Sequence, residues 1–293
     1  MTGMTNGITP GVRMDRDECI EQAYFFRVFR ERTQQNMPAQ DVLSRIHEEL
    51  LTTTRMPMAV QFLASEIKHT GSLETGFARL PHYFTPFQTF IVGQAEKDKV
   101  RFSFETAMFV LEREAVYKSG DPFPTGLFVY QFESIARNKL GYDAGLAAVG
   151  GDPLYGPEWR DYIDIVRRQV GVIDFCDLVY VRSDQYVVDE RRVRHDYTPP
   201  VPPLFGEKEG RIAKASRGRD PLFLFAALQR QLNYPEVPRP KAKDDLSSKF
   251  EALEIKFREL EARLRMAESE LRGTFDPTQF GTPDILKDLP DEP

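Results

Sequence analysis

Asp152, Glu158 and Asp161 are the side chains of this sequence best placed to do chemistry. They lie in a stretch, 141–177, that also holds Gly141, Gly145, Gly150 and Gly151 and the acids Asp143, Asp164, Asp174 and Asp177. Paired carboxylates suit general acid–base work or oxygen ligation of a hard cation. Asp161 and Asp164 share one face of a predicted helix. Their spacing matches no metal motif, and carboxylates beside helices commonly act as caps. The stretch therefore reads first as capped helices. The alternative is an enzyme or ligand-binding module built on Asp152, Glu158 and Asp161.

The other reactive side chains are scattered. His47, His69, His82 and His195 form no HxxxH pair and stand beside no cysteine. Cys19 and Cys176 lie in apolar surroundings and fit no CxxC or zinc spacing, which reads as a reduced pair of thiols. Ser134 and Ser183 occupy no GxSxG elbow. Residues 206–219, GEKEGRIAKASRGR, carry Lys208, Arg211, Lys214, Arg217 and Arg219, but not in the order of a phosphate loop. They read as a solvated basic loop, with an anionic partner surface as the minor reading. No catalytic residue, cofactor-binding residue or metal ligand is assigned, and no cofactor is implied.

The best-defined pattern is structural. Leu246, Phe250, Leu253, Phe257, Leu260, Leu264, Ala267 and Leu271 are spaced alternately four and three apart, the a/d seam of a coiled coil. With Phe250, Phe257 and Leu264 at a, Lys249, Lys256 and Arg263 fall at g, and Glu254, Glu261 and Glu268 fall at e. In a parallel homodimer each g faces the next e of the partner chain, so all three pairs attract. In an antiparallel one most contacts repel. The expectation is a parallel homodimer. Pairs within one helix such as Glu254–Arg258 and Glu261–Arg265 would also support a lone helix folded onto its own body.

The elements that carry these residues are predicted to be helical. Of 293 residues, 41% are apolar and 22 are Phe, enough for a substantial core. A net charge of −6 argues against nucleic acid as a partner. No run approaches the ~18 apolar residues of a membrane span, and the first residues hold no signal-peptide core, so a soluble cytoplasmic protein is expected. Residues 1–15 read as a disordered arm, 16–119 as a helical bundle, and 125–195 as a smaller, mainly helical region. Residues 196–242 read as Pro-rich linkers with one helix, 243–273 as the coiled coil and 274–293 as a disordered tail. The break at 118–124 marks the first boundary. The fold class is mainly α: an antiparallel bundle, a helical middle region and a C-terminal coiled coil. Phe26, Ile46, Leu63, Ile67, Leu73, Phe90 and Leu111 are the predicted bundle core. Gly71 stops one helix, Ser72 caps the next, and Thr85–Pro86 opens another.

The stretch 62–96, FLASEIKHTGSLETGFARLPHYFTPFQTFIVGQAE, resembles the F domain of type II secretion and type IV pilus systems. The matching punctuation is Gly71-Ser72-Leu73, then Pro81, Phe84 and Pro86, then Gly93 and Glu96. The resemblance covers about 17–118. It implies a six-helix docking bundle that contacts a secretion or pilus ATPase or a platform protein, and it implies no catalysis. Members of that family carry two such domains and transmembrane helices. This sequence has one clear copy and no transmembrane run. Residues 127–177 repeat the order helix, Gly-rich break, helix, short helix, which is compatible with a decayed second copy. The functional expectation is a non-enzymatic adaptor or scaffold dimerised by its coiled coil.

Overall fold

Local sequence signals set most of the helix ends. Gly71 adopts φ 72° and closes α3 (Met56–Thr70), donating its N–H to Ile67 O. Only glycine takes that conformation without strain. Ser72 then caps α4 (Leu73–Ala78) by accepting from Thr75 N. Glu96, just past α5 (Pro86–Ala95), accepts from the Ser72 hydroxyl at 2.7 Å and from Leu73 N at 2.6 Å. A carboxylate thus meets the positive end of α4. Thr85 and Gln88 form a reciprocal capping box at the start of α5, with Pro86 at its first position.

The computed structural model describes residues 14–97 and 102–239, together with Lys256, Phe257, Leu260, Glu261 and Leu264. The chain divides into two units, Met1–Pro240 and Lys241–Pro293. Among the described residues of the first, thirteen helices follow one another. Besides α3–α5 they are α1 (Arg16–Gln34), α2 (Ala39–Ile46), α6 (Phe104–Ser119), α7 (Pro124–Asn138), α8 (Tyr142–Gly150), α9 (Pro157–Gln169), α10 (Phe175–Val181), α11 (Asp184–Val193), α12 (Glu207–Ser216) and α13 (Pro221–Leu232). Among the described residues no strand forms; two isolated bridges occur, Val170–Ile173 and Ser183–Phe205. The protein is mainly α. No helix among the described residues is long and apolar enough to cross a membrane.

The core of the first unit runs through all these helices. α1 lies along α6. Phe25, Phe26 and Phe29 of α1 meet one another, and Phe26 and Phe29 go on to Phe77 and Phe104. A second aromatic cluster joins Phe128, Phe132, Trp159, Tyr162, Phe175, Phe205 and Phe225. α7 is buried along nearly its whole length, from Gly126 to Ile135. Phe26, Ile46, Leu63, Ile67, Leu73 and Leu111 are buried, and Phe90 is half-buried against the core. The break at 118–124 falls between α6 and α7, inside this unit.

Several expectations are corrected. Asp15 stands at the N-cap of α1, and Phe25 lies on its buried face while Ile20 is exposed. Of the glycines of 141–151, Gly141 (φ 89°) precedes α8 and Gly151 turns the chain after it, while Gly145 and Gly150 lie within the helix, where Gly145 lets the Ile135 side chain approach. The basic segment 206–219 is not a loop but contains α12, so two helices stand between 196 and 242 where one is predicted. Gly210 is the reason a glycine sits inside α12. A Cβ there would fall 2.1 Å from Ser183 Oγ, so only glycine lets α12 close onto the start of α11. The Pro-rich run 198–203 leads to Leu204 and Phe205, whose N–H groups donate to Arg182 O at 2.8 and 3.1 Å. The run is a strap on its own unit, not a free spacer. The arm 1–13, the tail 274–293 and Leu246, Phe250, Leu253, Ala267 and Leu271 of the seam lie outside the described residues.

Candidate functional site

Asp152 is the one predicted acid that the fold buries, and it stands in a polar network at the centre of the first unit. Its Oδ2 accepts from Lys118 Nζ at 2.6 Å and from Gln131 Nε2 at 3.3 Å, and its Oδ1 accepts from Leu154 N. Lys118 also pairs with Glu114 at 3.0 Å, one turn back on α6. Gln131 Nε2 donates to Glu114 at 2.7 Å, and Tyr155 Oη donates to Gln131 Oε1 at 2.7 Å. On the other side Gln88 Nε2 donates to both Glu114 Oε2 and Gln22 Oε1, and Gln22 Nε2 reaches Tyr83 O. Five side chains, from α1, α5, α6, α7 and the segment after α8, thus share one chain of hydrogen bonds to Glu114 and Asp152. Burial works against the Lys118 ammonium, but the Asp152 and Glu114 carboxylates outweigh it and hold its pKa above the usual lysine range. Burial, with Asp152 and Glu114 beside it, pushes the Tyr155 phenol well above its ordinary value. The crevice beside this network, lined by Cys19, Gln22, His82, Gln88, Lys118 and Asp152, encloses about 50 Å³. That holds a few waters, far below the ~300 Å³ of a small-molecule site.

Glu158 and Asp161 do not join Asp152. They are exposed on α9 and do not line its crevice. Their nearest electrostatic effect is on Arg182. Arg211 and Lys214 of α12, and Arg217 just past it, pair with acids of the same unit while staying largely exposed. Lys214 reaches Asp189 at 2.8 Å, Arg217 reaches Asp177 at 2.5 Å, and Arg211 pairs with Glu207 and donates to Gln185. Burial and the neighbouring Asp174 push the Cys176 thiol up to about 12, so it carries no thiolate near neutrality.

A larger cavity lies elsewhere. α9, α10, α11 and the strap at 197–203 enclose about 430 Å³, walled mainly by Tyr162, Ile165, Val181, Tyr186, Tyr197 and Pro199. Tyr162 and Arg182 both line it, and the Arg182 guanidinium lies 5.6 Å from the centre of the Tyr162 ring. Neither the Tyr162 hydroxyl nor Arg182 Nε has a hydrogen-bond partner among the described residues, although both are buried.

The sequence reading missed Gln22, Gln88, Glu114, Lys118, Gln131 and Tyr155. The available signal was polar residues in the apolar phase of a helix: Gln22 lies between Cys19 and Phe26, and Gln131 lies in a helix apolar on all sides. It also missed the cavity, whose wall is drawn from α9, α10, α11 and the 197–203 segment. In the second unit, Lys256, Phe257, Leu260, Glu261 and Leu264 are helical and exposed.

The described residues form a mainly α protein with a buried polar network, a cavity of about 430 Å³ and, in the second unit, exposed helical Phe257, Leu260 and Leu264. Compared with family models, curated proteins and solved structures, the chain matches none.

Proposed function

We propose that this protein is a non-enzymatic adaptor or scaffold of the cytoplasm, paired with a second copy of itself through a parallel coiled coil over 246–271. One observation carries the reading. Phe257, Leu260 and Leu264 occupy successive a, d and a positions, are helical, and are 65%, 62% and 63% exposed in the single chain. Large apolar side chains at that spacing favour a facing helix. Lys249, Lys256 and Arg263 opposite Glu254, Glu261 and Glu268 favour the parallel, in-register pair. The absence of a ligand-sized space beside Asp152 also weighs for binding over catalysis. The partner class is a protein, and the F-domain resemblance of 17–118 points to a secretion or pilus ATPase or platform protein. The order of α1–α6 and the caps at Ser72 and Thr85 are compatible with that docking role.

Analytical ultracentrifugation tests the pairing. The full chain is expected to sediment as a dimer above micromolar concentration. Changing Lys249, Lys256 and Arg263 to Glu is expected to weaken the dimer. Adding a chain with Glu254, Glu261 and Glu268 changed to Lys is expected to restore pairing as a heterodimer. A monomer at high concentration sinks the reading.

A further inference from the structure

We infer that the cavity between α9, α10, α11 and the 197–203 strap binds a small molecule with an apolar body and a single carboxylate. This goes beyond the adaptor reading and is independent of it. The volume, about 430 Å³, falls in the range of small-molecule sites, and the wall is mostly aromatic and aliphatic. One cation stands in that wall: Arg182 lines the cavity and is half-buried. It stays cationic at neutral pH and forms no ion pair among the described residues. The Tyr162 hydroxyl and Arg182 Nε are buried without an acceptor and have no surface open to the cavity, so a ligand's carboxylate would meet the terminal guanidinium nitrogens of Arg182.

The surrounding charge sets the ligand's charge. Asp177 lines the cavity, though Arg217 already pairs with it. Glu158 and Asp161 act on Arg182 from α9. One guanidinium amid these acids suits one negative charge and disfavours a phosphate dianion. The rings of Tyr162, Tyr186 and Tyr197 and the faces of Pro199 and Pro200 suit a flat or extended apolar body.

Calorimetry on the full chain, with 4-phenylbutyrate and octanoate as probes, tests the site and separates aryl from alkyl bodies. Saturable binding of one molecule per chain is expected for at least one probe. The fluorescence of Trp159, the single tryptophan, should change with it, because its ring lies 5.8 Å from that of Tyr162. Arg182→Met and the neutral comparator 4-phenylbutanol should each bind about 10- to 100-fold more weakly, the worth of a charged hydrogen bond. Val201→Glu, at an exposed position on the strap, should weaken binding too and does not touch the core. The inference is overturned if neither carboxylate binds saturably, if both Arg182→Met and Val201→Glu leave binding unchanged, or if phenyl phosphate binds as tightly.

Discussion

The polar network at Glu114 and the cavity at Tyr162 lie in the same unit and are both lined by buried polar groups, yet they are built on opposite terms. In the network each side-chain group named above meets another: Lys118 takes two carboxylates, Gln131 three partners, Gln88 both Gln22 and Glu114. Its crevice is too small for a substrate. In the cavity the space is ligand-sized and two donors remain unpaired. The contrast separates polar groups that satisfy one another from polar groups that the fold leaves unpaired. A cluster of ionisable residues is therefore a poor guide to function until its hydrogen bonds are counted.

The comparison is most easily broken at Lys118. Lys118→Met removes the only cation paired with Glu114 and Asp152 in the network and strands two buried carboxylates. The expected loss is about 3–5 kcal/mol in urea unfolding. A loss under about 1 kcal/mol would show that the network does not hold the unit together. Because the Lys118 pKa is raised on folding, its contribution is fully present below the unfolded lysine pKa and is lost only as pH rises beyond the usual lysine range. Gln88→Leu is milder. It removes the donor to Gln22 and Glu114 while keeping the volume, for an expected loss of about 1–3 kcal/mol.

How much of this was legible in the sequence depends on the reach of the signal. Helix ends written into neighbouring residues were readable: Gly71 with Ser72, Thr85 with Pro86, and Asp220, whose side chain caps α13 through Leu222 N. α12 was not readable. Its apolar face amounts to little more than Ile212 and Ala213, and Gly206, Gly210 and the basic residues imitate a loop. What holds it is tertiary: the contacts of Lys214 with Asp189, Arg217 with Asp177 and Gly210 with Ser183. The network was hidden for the same reason. Gln22 and Gln88 are 66 positions apart, and Lys118 and Asp152 are 34 apart. The acids that the sequence did single out, Glu158 and Asp161, are solvated on α9, and no local pattern distinguishes them from Asp152. The cavity needs four separate segments at once, which no single stretch announces.

On the cavity side of the unit the pH response runs the other way. Lys214, Tyr180 and Gln185 all donate to Asp189 and hold its carboxyl down at about 2. A depressed acid contributes stability above its unfolded pKa, ~3.9, and loses it as pH falls through the folded value. Asp189→Ala is therefore expected to be less stable than the parent at pH 7, by no more than about 1 kcal/mol given its solvent screening. The gap between the two should narrow steadily below pH ~4 in thermal melts. A gap that stays constant down to pH 3 would remove Asp189 from the forces that clamp α11 to α12.

The smallest expected effect is the most informative one. Tyr162→Phe deletes a buried hydroxyl that has no partner, in a ring packed against Trp159, Phe128 and Phe205. Removing a paired buried group costs the partner its bond, whereas removing an unpaired one leaves nothing stranded. The ring contacts survive intact. The expected change in unfolding free energy is within about 0.5 kcal/mol, with a sign that favours the variant, because an unsatisfied buried donor carries a desolvation cost. Set beside Gln88→Leu, a substitution of similar size at a similarly buried polar group, the result measures the difference between the two regions directly. Equal losses for the two variants would mean that Tyr162 has a hydrogen-bond partner in solution, and the cavity would then be as self-satisfied as the network. A loss confined to Gln88→Leu would show that the Tyr162 hydroxyl contributes no hydrogen bond to the fold.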